Sequence, residues 1–326
     1  MQSILASLPL KTMAAIALIA ALHPGLSAAE SPDAYPDKRL EVILPYAAGG
    51  GVDAMARAFS EEASRLTRQQ WVVVNRPGAG GTVGFSALAH AQPNGYTIVF
   101  SPASALTNAP FVVSKMPFQT EQIEPVCQVF ENVFAFAVRP DSPIKSIQDL
   151  VEKAKAKPGS LSYGHAGPGS VPHLSVAAIE KALGITLNAI GYRGDGQMLP
   201  DLLGGHVDVG VPAISSLAGK NLRVLAVLAE KRHPALPDVP SMGDLGFPVT
   251  TPGLNGLFVP AGTPEPIVKK LEGICQQVVE SKAFKDASAN LQQVPAYLNA
   301  AQFKARLQAT YAENAELTRG LDLKKE

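Results

Sequence analysis

Ser170 and His173 stand three residues apart, near enough for a hydroxyl and an imidazole to share a proton. A serine nucleophile with a histidine base is therefore the first chemistry to test. The surroundings argue against it. The run is Gly169-Ser170-Val171-Pro172-His173, without the Gly-x-Ser-x-Gly elbow of a hydrolase, and a serine shortly before a proline is an ordinary helix start. Binding chemistry is the stronger candidate. Gly49-Gly50-Gly51 separates the apolar run Leu40-Glu41-Val42-Ile43-Leu44 from Asp53–Leu66, where Ala54, Met55, Ala58, Phe59 and Ala63 recur at helical spacing. A strand that feeds a helix through glycines leaves the first helical N–H groups open, and with the positive end of the helix dipole they form an anion site. The same glycines would serve equally as a tight strand-to-helix turn. They lack the Lys-Ser/Thr ending of a phosphate loop, and no cluster has metal-ligand spacing, so neither cofactor nor metal is expected.

The elements around these residues alternate between strand and helix. Trp71–Val74 reads as a strand, followed by the glycine-rich loop Asn75–Thr82 and a helix over Val83–Ala91. Tyr96–Phe100 reads as a third strand, ending in Ser101-Pro102-Ala103-Ser104. Alternation implies a parallel sheet whose ligand lies beyond the strands' carboxyl ends, so loops 46–53, 76–84 and 101–104 open on one edge. A second unit follows, with strands at Phe134–Val138, Leu161–His165, Leu187–Gly191, Val207–Val211 and Val224–Leu228. Helices are read at Ile147–Ala156 and Leu174–Leu183, and a third glycine-rich loop at Ala166–His173. Leu254–Val259 is a further strand. Thr263 is expected to cap the next helix ahead of Pro264, and Asn299 with Gln302 to form a capping box at the last helix. Of the loop arginines, Arg76 is read as structural, while Arg193 suits a carboxylate pair. Asp53 reads as a helix-dipole partner, with a ligand ammonium as the other role open to it. Tyr46 reads as a cleft wall with a usable hydroxyl, and His173 as a residue that orients its loop.

Composition removes other classes. Lysines plus arginines equal acidic residues at 28 each, with 6% aromatic residues and no basic tract, which argues against a nucleic-acid or membrane-surface partner. Lys11, the apolar run Met13–Leu22 and Leu26-Ser27-Ala28-Ala29 have the order of a cleaved signal peptide, and the core is too short to span a bilayer. Removing residues 1–29 from 326 leaves 297, enough for two domains. Cys127 and Cys275 could pair in an oxidising compartment, but small buried thiols are the default reading.

Nine motifs then occur in order. They are Tyr35-Pro36; Pro45-Tyr46-Ala47-Ala48-Gly49-Gly50-Gly51-Val52-Asp53; Val73-Val74-Asn75-Arg76-Pro77-Gly78-Ala79-Gly80-Gly81; Pro93-Asn94-Gly95-Tyr96; Gly167-Pro168-Gly169-Ser170 with His173-Leu174; Tyr192-Arg193-Gly194; Asp201–Asp208; Leu236–Pro240; and Pro260–Pro264. In these the chain resembles the Bug (Bordetella uptake gene) solute receptors, the extracytoplasmic binding proteins of tripartite tricarboxylate transporters, across residues 35–321. The resemblance implies an α/β, two-domain periplasmic-binding-protein fold (type II-like) with two crossover strands and a ligand cleft between the domains. Residues 30–133 plus 251–326 would form domain 1 and 134–250 domain 2.

It further implies a periplasmic monomer that closes on a small carboxylate and delivers it to a membrane permease of two integral subunits. The ligand-binding residues would be Tyr46, Ala47, Ala48, Gly49, Gly50, Gly51, Asp53, Gly81, Ser101, Ala103, Gly167, Gly169, Ser170, His173, Tyr192, Arg193 and Gly194. The family often carries Phe at Tyr46 and Val-Pro at Ile190-Gly191, and His165 and Pro168 fall at variable positions, so these departures bear on which ligand is held. A ligand-dependent sensor docking on a membrane kinase is the alternative role, and a Ser170/His173 hydrolase the third.

Overall fold

Two mixed β-sheets, each flanked by helices, organise the chain in the computed structural model, which describes residues 35–247, 249, 252–319 and 321. The signal-peptide reading of residues 1–29 lies outside the described residues. The first part runs β1 (Leu40–Leu44), α1 (Gly51–Thr67), β2 (Trp71–Asn75), α2 (Thr82–Ala89) and β3 (Thr97–Pro102). Short helices α3 (Ser104–Thr107) and α4 (Ala109–Val112) lead to β4 (Ile123–Asn132). The chain then crosses to the second sheet. There it forms β5 (Ala135–Val138), α5 (Ile147–Ala156), β6 (Ser162–His165), α6 (Val171–Leu183), β7 (Asn188–Gly191), α7 (Asp195–Gly204), β8 (Val209–Gly210), α8 (Ile214–Leu217) and β9 (Arg223–Val227). It returns with β10 (Gly253–Pro260), α9 (Glu265–Glu280), α10 (Lys282–Asn290), β11 (Pro295–Leu298) and α11 (Ala300–Arg319). Both sheets belong to one body that begins at Pro36.

The strand order is β11-β4-β10-β3-β1-β2 in one sheet and β7-β6-β8-β5-β9 in the other. Only β2-β1-β3 and β7-β6-β8 are parallel, while β10 runs antiparallel to both β3 and β4. Alternation therefore predicts the parallel side of each sheet, which runs out to edge strands β2 and β7, and misses the strands that cross between them. Strand β4 escapes a pattern search because Glu124, Pro125, Gln128 and Glu131 interrupt its apolar run. Pro125 faces Phe258 where the β10–β4 register shifts, the kind of irregular position where a sheet tolerates proline.

Helix α1 follows the predicted stripe at Met55, Phe59 and Ala63, whereas Ala54 and Ala58 are only half-buried and Ala56, outside the stripe, is buried. Phe59 meets Trp71, Phe100 and Phe284 at ring separations of 6.1, 5.6 and 5.9 Å. These contacts hold the helix rigidly over β1–β3, so the direction in which its N-terminus points is set by packing. The second sheet has its own core, with Phe136, Val138, Ile147, Leu150, Tyr163 and Val176 among its members.

Two cap expectations resolve differently. Asn299 and Gln302 form the reciprocal box, with bonds of 2.9 and 3.2 Å. Thr263 is not the cap of α9: Pro264 takes that position, and the Thr263 hydroxyl donates to the Pro260 carbonyl at 2.7 Å, closing the preceding turn instead. Helix α6 begins at Val171, three residues before the predicted Leu174, because Pro172 suits a first turn.

The default of two buried thiols is overturned. Cys127 on β4 and Cys275 on α9 form a disulfide across 148 residues of sequence, with Cα atoms 6.6 Å apart. Spacing alone concealed that these two elements pack together, and an oxidised pair agrees with an exported protein. Reducing the bond, or replacing both cysteines with alanine, should lower the unfolding free energy by about 2–4 kcal/mol. Urea unfolding with and without reductant measures this, and superimposable curves would contradict it.

Candidate functional site

The N-terminus of α1 is bare by construction. Gly50 is its N-cap, without a side chain to bond the first turn, and packing beneath Phe59 aims that end across the gap toward the second sheet. There the N-termini of α6 and α7 approach it. A cavity lies between them, bordered by Tyr46, Ala47 and Gly50–Asp53 on one side and by Ala166, Ser170–Pro172, Asp195 and Ala213 on the other. Asn132 and Phe134 close it where β4 passes into β5. The space not filled by atoms is about 460 Å³, mouth included, of which about 30 Å³ admits the centre of a water molecule. The cavity is thus a narrow, nearly shut slot.

Backbone-to-backbone approach shuts it. The Ala47 N–H donates to the Arg193 carbonyl at 2.8 Å. The Gly51 N–H donates to Ser216 Oγ at 2.8 Å, and that hydroxyl donates to Asp195 Oδ2 at 2.6 Å. A Cβ on Gly80 would lie 2.0 Å from the Pro168 carbonyl oxygen, on Gly196 2.1 Å from the Ala48 oxygen, and on Gly51 2.0 Å from Ser215 Oγ. Glycine is required at all three because an opposing loop, or for Gly51 the Ser215 turn of helix α8, stands where a side chain would go.

Two polar groups on the cavity wall have no hydrogen-bond partner among the described residues, Asn132 Nδ2 and Ser170 Oγ. Both residues are buried, at 0% and 2% exposure. The Asn132 amide is oriented by Gln293, whose Nε2 donates to Asn132 Oδ1 at 3.2 Å, so its N–H₂ is left for the cavity. Buried polar groups are normally bonded, and unmet ones beside a cavity mark where a ligand's acceptor belongs. Ser170 makes no bond to His173. The His173 Nδ1 accepts from the Gly169 N–H at 3.2 Å, and its ring stacks on His165 at 4.6 Å. Burial, and secondly the neighbouring His173, pulls the His165 imidazole down to about 4, so it is neutral at physiological pH.

Two other ionisable groups at the cavity, Asp53 and Tyr46, are held by the protein itself. Burial would raise the Asp53 carboxyl, but bonds from Arg57, Asn75 and the Gly49 N–H outweigh it and hold the group below the usual carboxylate range. Its oxygens are therefore not offered to the cavity. The Tyr46 hydroxyl donates to the Gly80 carbonyl at 3.2 Å and lies 3.4 Å from Ser104 Oγ. Burial pushes this phenol up to about 12, against the Ser104 bond. It ties together the loops after β1, β2 and β3. Those three loops do share one edge, as the parallel reading requires.

Of the residues singled out from sequence, Tyr46, Ala47, Gly50, Gly51, Asp53 and Ser170 border the cavity. Ala48, Gly49, Gly81, Gly167, Gly169 and Gly194 lie in the loops that meet around it. Ser101 and Ala103 are buried behind it, the first donating to the Pro102 carbonyl and the second to the Leu254 carbonyl. The Tyr192 hydroxyl turns away to Asp201 at 2.9 Å, and Arg193 is exposed, contributing its backbone carbonyl. Arg76 pairs with Glu41 at 2.7 Å on the surface. Asn132, Phe134, Asp195 and Ala213 border the cavity without having been anticipated. For Asp195 the adjoining Gly194 and Gly196 were the available signal.

Known proteins share this architecture. The family described as "Tripartite tricarboxylate transporter family receptor" matches residues 55–323. Protein BugT of Bordetella pertussis is 33% identical over 273 residues, 81% of this chain and 83% of that protein. The solved periplasmic binding protein BugD is 29% identical with a TM-score of 0.85, over 90% of this chain and all of the other. An R. palustris protein solved with adipate is 25% identical with a TM-score of 0.83, over 88% and 99% of the two chains. A match that takes in α1 through α11 and reproduces both sheets leaves one assignment: this chain belongs to the tripartite tricarboxylate transporter receptors, the periplasmic solute-binding proteins of Bug type, and is a receptor and not an enzyme.

Proposed function

We propose that this receptor captures a small carboxylate in the slot between the two sheets and presents it, in the closed form, to a membrane permease of two integral subunits. The observation that carries this reading is the pair of unmet buried donors, Asn132 Nδ2 and Ser170 Oγ, beside the N-termini of the long helices α1 and α6. Backbone N–H groups and helix dipoles favour an anion there without a charged side chain. Adipate in a relative's structure supports a carboxylate as that anion. The functional unit is a monomer, released after cleavage of residues 1–29. Its lobes comprise residues 30–133 with 251–326, and 134–250, and turn about the crossings next to Val133 and Pro252. Ligand contacts made only in the closed form would then shift the population toward closure.

Calorimetry with a panel of small carboxylates and their amides tests the proposal. The acids should bind and the matching amides should not, whereas equal affinity would remove the anion site. Ser170→Ala separates binding from folding. Because the hydroxyl has no partner among the described residues, the ligand-free protein should melt as the wild type does. Loss of one bond to a charged group, worth about 1.5–3 kcal/mol, should weaken the carboxylate about ten- to a hundredfold. An unchanged affinity would place the ligand elsewhere.

A further inference from the structure

The cavity wall carries two carboxylates and, among its lining residues, no lysine, arginine or histidine. Asp53 is neutralised by Arg57, with bonds of 2.9 and 3.0 Å. Asp195 has no such partner. Its Oδ2 accepts from Ser216 Oγ at 2.6 Å and from the Ala213 N–H at 3.0 Å, while Oδ1 has no hydrogen-bond partner among the described residues. Burial raises the pKa of this carboxyl, against the two bonds it accepts, as expected of an acid that lacks a cation. The same slot therefore offers unmet donors at Asn132 and Ser170 and an unmet acceptor at Asp195. A ligand that carries only carboxylate would set like charges together in a narrow slot with room for little water, where their repulsion is less screened than in bulk solvent.

Resting on the reading of the slot as a carboxylate site, we infer that Asp195 selects carboxylates that also carry an ammonium group, so that the ligand is an amino acid or a close relative of one. The ligand carboxylate lies toward Asn132 and Ser170, and its ammonium donates to Asp195 Oδ1. A hydroxyl in that place would satisfy the acceptor but leave the Asp195 charge uncompensated, so an ammonium is the better complement. Asp195 is also joined through Ser216 to the Gly51 N–H of the opposite sheet's helix. An ammonium on Asp195 would thus be registered by the contact that closes the slot.

Calorimetry on the purified protein, using α-amino acids each paired with its deaminated carboxylate, tests the inference. In at least one pair the amino member should bind the wild type at least tenfold more tightly. In Asp195→Asn that preference should fall by at least tenfold, with the deaminated member bound as well as before or better. Melting curves establish that the variant is folded, and the wild-type comparison stands without it. A wild type that binds deaminated acids as tightly as their amino partners overturns the selection by Asp195 while leaving the carboxylate site intact. A variant that keeps the full preference does the same. If no member of any pair binds, the carboxylate reading fails, and the inference fails with it.

Discussion

The structure depends on backbone meeting backbone across the gap between two sheets. Gly80 against Pro168, Gly196 against Ala48 and Gly51 against Ser215 each leave no room for a Cβ. Such contacts carry little apolar area, so they contribute modestly to stability and readily come apart. Their value is geometric. They bring the N-terminus of α1 within hydrogen-bonding distance of Ser216, and they narrow the slot until its walls touch whatever it holds. Each sheet keeps its own aromatic or aliphatic core, so parting the loops need not disturb either core.

The charges near the slot follow the same division. Asp53 is fixed from within its own sheet by Arg57 and Asn75, which makes it a structural support for the glycine loop through the Gly49 N–H. Tyr46 is likewise held by Gly80 and Ser104. Asp195 differs because its bonds run to Ser216 and Ala213 within its own side and, through Ser216, to the opposite helix. Two acids of one type, both beside the cavity, have opposite pKa shifts because one has a guanidinium and the other has only neutral donors.

Much of the frame is legible from residues alone. Gly49-Gly50-Gly51 before a helical stripe predicts α1 and its open end, and the strand–loop–helix alternation places three loops on one edge. What escapes is non-local. Asn132 sits at the end of β4, a strand hidden by Pro125 and three polar residues, and its free amide is set by Gln293, 161 residues away. The role of Ser216 is visible only once Gly51 is known to face it. The Cys127–Cys275 bond joins a strand to a helix whose packing no spacing reveals. Conversely, the proximity of Ser170 and His173 in sequence misleads, because the α6 turn directs the imidazole to the Gly169 N–H and not to the hydroxyl.

The central claim, that glycine-permitted closure is the ligand-holding state, is tested most directly at Gly196. This residue lies in helix α7, where alanine is favoured by about 0.5–1 kcal/mol, so Gly196→Ala should not harm the fold of its own side. Its Cβ would nevertheless strike the Ala48 carbonyl across the gap. Small-angle X-ray scattering should show the wild type contracting when the tightest-binding carboxylate is added, and the folded Gly196→Ala protein remaining expanded under the same conditions. An equal contraction of the two proteins would contradict the account.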